Sequence, residues 1–231
     1  LSSNDPEDTI FFTRDGSEPS ADDSLYISPI HISANCVIRA RSLNSHKLPG
    51  AVSTNTYITR HHTLPVVCIS TNPENLWDYN TGIYAMGPNA VSYFPYFDAN
   101  FWQDWEKKAH MEFYDANGKK QIDQDIGIKI FGSWSRAFPQ KSLAVFARNL
   151  YGKGSFEYQF FKDKPIKKFE SLILRNAGND WSQAMMRDGL TSILIRDMDI
   201  DRQAFQPSVV YLNGEYWGIH NIREKVNSNY L

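Results

Sequence analysis

Cysteine is nearly absent from the chain. Cys36 and Cys68 are the only two in 231 residues, and each lies in an apolar, strand-like run. So few thiols exclude a disulfide scaffold, and two buried free thiols are a simpler reading than a bridge. Long apolar runs are missing too. Nothing approaches the ~18–20 consecutive apolar residues that a membrane-spanning helix needs. Neither sign of charge dominates, since 24 basic residues face 26 acidic ones for a net charge of −2. With no basic block, a nucleic-acid footprint is excluded. The histidines show no metal-ligand spacing, and there is neither a Gly-x-Ser-x-Gly elbow nor a His-Glu-x-x-His helix. Asp197, Asp199 and Asp201 suggest a calcium loop, but its sixth and twelfth positions are Arg202 and Ser208, where glycine and glutamate are required. The chain opens at Leu1 without a signal-peptide pattern, so a trimmed or engineered fragment is expected.

What the chain does have is aromatic side chains, 14% of all residues, an enrichment that suits β-rich proteins. Residues 8 to 60 read as short strands separated by turns: Thr9–Thr13, Leu25–Ile27, Ile30–Ile32, Cys36–Arg41 and Ala51–Ile58. Strands at that spacing predict a small immunoglobulin-like β-sandwich over residues 1–60. After the joint His61-His62-Thr-Leu-Pro65, a second domain is predicted over residues 61–231. Its strands are Val66–Ser70, His110–Tyr114, Gln121–Phe131, Lys141–Arg148 and Ser171–Leu174. Asp115-Ala-Asn-Gly118 and Asn213-Gly214 are hairpin turns. Met86 to Trp105 reads as an ordered loop packed by its own aromatic side chains. One long helix is predicted over Met185–Met198, with Leu190, Ile193, Leu194 and Met198 on a shared face. The fold class expected is therefore α+β.

Three polar blocks stand out. Gly132-Ser-Trp-Ser-Arg136 is a loop whose backbone N–H groups can approach a phosphate, with Ser135 and Arg136 at its end. Lys141 follows among apolar Leu143, Val145 and Phe146, where its ammonium could add a point charge. A plain hairpin with an exposed lysine fits the same residues. Arg175, Asn176, Asn179 and Asp180 follow a buried-looking strand, and Arg187 and Asp188 open the predicted helix. They could line a site or cap that helix. The third block, Val210 to Gly218 with Arg223-Glu224-Lys225, ends in charges that a solvated run would also explain.

These blocks, in this order, resemble the CotH kinase family, named for spore coat protein H, whose members are atypical protein kinases. Phe11-Phe-Thr-x-Asp-Gly-Ser-Glu-Pro19 and Val37-Ile-Arg-Ala-Arg41 resemble the small accessory domain at the C-terminus of chitobiases and β-hexosaminidases. The first resemblance implies a kinase N-lobe, an antiparallel sheet plus one helix, that binds Mg-ATP and phosphorylates serine or threonine of a partner protein. It implies nucleotide contacts from Ser135, Arg136, Lys141, Arg175, Asp180, Arg187, Asp188 and Glu224. The Asp-Trp segment and the later Asp-x-Asp segment expected of the family, which orient the acceptor and hold Mg²⁺, match nothing here. No catalytic base or metal ligand is therefore assigned, and the fragment is expected to be inactive. The company of both domains implies a secreted or cell-envelope location. Two readings without catalysis stand beside this one: a surface module that contacts glycan or an envelope protein, and a degenerate kinase fold acting as an adhesin or scaffold.

Overall fold

The computed structural model describes residues 1–226. The N-terminal segment folds as one antiparallel sheet. Its strands β1 (Thr9–Thr13), β2 (Ser24–Leu25), β3 (Cys36–Leu43) and β4 (Ser53–Tyr57) lie in the order β2-β1-β3-β4. This corrects the sandwich expectation. Ile30–Ile32 forms no strand, and the segment supplies no second sheet of its own. Alternation nevertheless buries both faces of β3, with Val37 and Arg39 on one side and Ile38 and Ala40 on the other. On the Arg39 side, the next unit of the chain closes over the sheet, with Ser70, Thr71 and Lys108 sharing a crevice with Arg39.

That unit is a closed barrel. Its elements follow as β5 (Val66–Ser70), α1 (Pro73–Trp77), β6 (Lys107–Tyr114), β7 (Lys120–Phe131), β8 (Ser142–Phe146), a small hairpin of β9 (Phe156–Glu157) and β10 (Lys168–Phe169), β11 (Ser171–Arg175), α2 (Arg187–Leu194), β12 (Phe205–Leu212) and β13 (Glu215–Glu224). The barrel order is β11-β13-β12-β5-β6-β7-β8. Every pairing in it is antiparallel except β12 with β5, and closure leaves no open sheet edge. Ile126, Ile128 and Ile130 of β7 repeat at the strand period and fill the interior with Leu143, Val145, Leu172 and Leu174. Asn213 and Gly214 both take positive φ, 50° and 82°, as a two-residue turn with the twist of its strands demands. The fold is mostly β with short helices. The long helix expected over Met185–Met198 is only the eight residues of α2.

The two units interlock. Glu112 of β6 is 1% exposed, and its carboxylate accepts the Thr56 N–H of β4 at 2.7 Å and the Tyr114 hydroxyl at 2.8 Å. Lys120 completes that pairing at 2.7 Å, so the buried charge is compensated. The tip of the β12–β13 hairpin provides a second key. A β-carbon at Gly214 would lie 2.6 Å from the backbone of Cys36 and Val37, a gap that only glycine fits.

Candidate functional site

The β7–β8 connection forms one wall of a large cavity. Gly132 turns at φ 122°, and a short 3-10 turn carries Trp134 to Ala137. Arg136 does not reach outward. Its Nε donates to the Gly132 carbonyl at 2.7 Å, and its Nη1 donates to the carbonyls of Phe101 and Trp102 at 3.2 and 3.1 Å. Lys141 also turns inward. Its Nζ donates to the carbonyls of Arg136 and Phe138 at 2.6 and 3.0 Å, and lies 4.0 Å from the Phe101 ring centroid. Burial pushes the Lys141 ammonium down to about 8, because desolvation penalises the charged form. Both cations are staples that hold the loop against the Met86–Trp105 segment.

The facing wall comes from the end of β11 and the start of α2. Arg175 ends the strand, and Asn176 is fully buried. The Asn176 amide donates to the Gln140 carbonyl at 2.6 Å, while its oxygen accepts from the Ser142 hydroxyl and the Gly178 N–H. Ala177 and Gly178 turn the chain at φ 71° and 59°. Asp180 then accepts the N–H groups of Met186 and Arg187 at 2.8 and 3.0 Å and pairs with Arg187 Nε at 3.1 Å. Backbone donors, Arg187 first, hold its carboxyl below the usual range. On α2, one Asp188 oxygen takes Arg175 Nε at 2.6 Å and Arg223 Nη1 at 3.1 Å.

Between the walls lies a cavity of about 620 Å³ lined by Ser133, Ser135, Arg175, Asp180, Arg187 and Asp188, among others. The structure thus brings together five of the eight site residues expected from sequence and turns three away. Arg136 and Lys141 are the staples just described. Glu224 is 4% exposed and pairs with Lys164 at 2.6 Å while accepting the Ala204 N–H. Arg223 and Glu224 are therefore no solvated charge run. Sequence reasoning missed Gln140, which ties the walls together. Its side chain accepts Trp181 Nε1 at 2.9 Å and donates to the Ile219 carbonyl and to His220 Nδ1. No local signal marks it, because all its partners are remote in sequence.

The cavity suits an anion with several oxygens. Arg175 uses only Nε in its ion pair, so its two terminal nitrogens form no hydrogen bond among the described residues and remain for a ligand. A β-carbon at Gly178 would lie 2.6 Å from Arg175 Nη2, and one at Gly132 would lie 2.6 Å from the Ser135 hydroxyl. Glycine thus keeps both walls of the cradle open. The same residues do not fit a divalent cation. Among the described residues no three carboxylate, histidine or cysteine side chains converge, and Asp180 and Asp188 already carry arginine and backbone donors.

Residues 1–57 match the family described as Fn3 associated. Residues 128–231 match the family described as CotH kinase protein. No curated protein matches the chain. Both walls of the cavity lie inside the second match, so the residues that build it are similar to CotH kinase proteins, behind a segment similar to the Fn3-associated family.

Proposed function

We propose that this chain supplies the phosphate-binding half of a kinase-type nucleotide site. The observation that carries the reading is the Arg175–Asp188 ion pair, 2.6 Å between a strand end and a helix, set across the cavity from the Gly132–Ser135 loop. Protein kinases cover the nucleotide phosphates with a glycine-containing loop and hold them with a strand cation paired to a helix carboxylate. The order here is the same: β7, loop, β8, then β11 with Arg175, α2 with Asp188, and the β12–β13 hairpin. Such a sequence of elements supports a kinase N-lobe. Arginine in place of lysine offers two parallel N–H donors to one phosphate.

ATP would supply the transferable phosphoryl group. Arg175 and Arg187, with Ser133, Ser135 and the loop N–H groups, would orient its phosphates. Asp188 holds the Arg175 guanidinium in place, and Lys141 acts only through the loop it staples. No residue of this chain is assigned as catalytic base or Mg²⁺ ligand. Phosphorylation of serine or threonine on a partner protein would need those groups from the rest of a complete kinase. Residues 1–231 alone should transfer no phosphate.

Isothermal titration with ATP, tripolyphosphate and adenosine tests the reading. Tripolyphosphate should compete with ATP, and raising the salt should weaken both. Competition by adenosine in place of tripolyphosphate, or no binding of either phosphate compound at millimolar concentration, contradicts it.

A further inference from the structure

A second cleft lies at the seam between the N-terminal sheet and the barrel, away from the phosphate cavity. It measures about 290 Å³, at the small end for small-molecule pockets, so it admits one ring, not a chain. Both units build it. Arg14, Asp15 and Asn35 come from the sheet side, and Trp77, Glu215 and Trp217 from the barrel side. Trp77 is 49% exposed. Its ring lies 5.7 Å from that of Trp217 at an interplanar angle of 56°, so the two indoles form a corner beside which the Trp77 side chain stays half-exposed. Trp217 is held in turn, its Nε1 donating to the Tyr84 hydroxyl at 3.2 Å.

The polar lining has spare capacity. Neither the Arg14 guanidinium nor the Glu215 carboxylate forms a hydrogen bond or ion pair among the described residues, although Arg14 lies over the Phe12 ring. The Asn35 oxygen is taken by Thr59, which leaves its amide N–H₂, and Asp15 accepts the N–H and hydroxyl of nearby Ser17. One cation and two carboxylates do not make an anion site. Planar donors and acceptors around an indole face do suit a ring that is apolar on its faces and hydroxylated at its edge. The walls are preorganised as well, because Gly214 and Asn213, which lock the two units together, also line this cleft.

From this juxtaposition of indole corner and polar side chains with donors and acceptors to spare, we propose that the seam cleft binds one uncharged pyranose unit, the end of a neutral saccharide. The test is an ¹H–¹⁵N spectrum of the whole chain, which resolves indole N–H signals, titrated with cellotriose, maltotriose and N-acetylglucosamine trimer. At least one should shift the Trp77 and Trp217 signals in a saturable way. Trp77→Ala should weaken that affinity tenfold or more, and Glu215→Gln severalfold. Since Glu215 is exposed, that second variant keeps the test meaningful if Trp77→Ala fails to fold. Arg175→Ala should leave sugar binding unchanged, which separates this site from the phosphate cavity. The proposal is overturned if no trisaccharide shifts these signals at tens of millimolar, or if the shifts fall on Trp102, Trp105 or Trp134 instead.

Discussion

His220 is fully buried between the β7–β8 loop and the barrel wall, and burial pushes its imidazole down to about 4. Its Nε2 lies 3.1 Å from the Lys141 carbonyl and its Nδ1 lies 3.2 Å from the Gln140 amide nitrogen, which fits a neutral ring. The unfolded chain therefore takes up this proton first as pH falls. Stability is fully present above about pH 6.5 and is lost down to about pH 4, by about 3 kcal/mol. Urea unfolding at pH 7 and pH 4.5 should show that loss, and His220→Gln should flatten the slope across this window. Asp123, Asp125 and Asp180, whose carboxyls are lowered, act below it. Lys141 has the same sign in an alkaline window, with stability rising from about pH 8 towards its ordinary value of 10.5. The residue types that line the cavity were legible in the sequence, and five of the residues singled out there do line it. Orientation was not. Whether a cation points out or clips its own loop depends on carbonyls such as those of Phe101 and Trp102, which come from a distant segment.

At the scale of elements, α2 sits with its large apolar residues outward. Leu190, Ile193 and Leu194 are 43%, 45% and 73% exposed, while Gly189 and Ser192 are buried. Apolar periodicity pointed to the opposite face. Asp188 must meet Arg175 and Arg223, Ser192 accepts from Arg223 Nη2 at 3.0 Å, and Gly189 packs on Phe205. Polar partners thus set the rotation of the helix. Leu194→Ala should cost under about 0.5 kcal/mol in chemical denaturation, against the 2–5 kcal/mol of a core leucine. Gly189→Ala should cost about 1–3 kcal/mol, since its new carbon would lie 2.2 Å from the Phe205 ring. The strands were far more legible, because a period of two and the turns Asp115–Gly118 and Asn213-Gly214 are local signals. Barrel closure was not, as the parallel pairing of β12 with β5 joins Val209 to Val66 across most of the chain.

Across the whole molecule, the N-terminal sheet and the barrel share a buried carboxylate, Glu112, and a glycine key, Gly214. Neither unit can leave without exposing an unpaired charge or a hairpin tip shaped for its partner. The chain should therefore unfold in one transition, with tryptophan fluorescence and near-ultraviolet circular dichroism superimposed; separate transitions would show independent units. Gly214→Ala combines strain at φ 82° with a clash on the Cys36 backbone. It should cost about 2 kcal/mol or more and quicken the reaction of the Cys36 thiol with a disulfide reagent.

The assignment of phosphate binding to Arg175, with Lys141 in a supporting role, is most directly tested by measuring ATP affinity for Arg175→Ala and Lys141→Met side by side. Arg175→Ala should keep its fold, since Arg223 still pairs with Asp188, and should lose tenfold or more in affinity. Lys141→Met should lower the melting temperature while a folded sample binds ATP within about threefold of the unaltered chain, a difference under about 1 kcal/mol. The reverse pattern, with affinity surviving at Arg175→Ala and vanishing in folded Lys141→Met, would contradict the account and make the buried lysine the phosphate ligand.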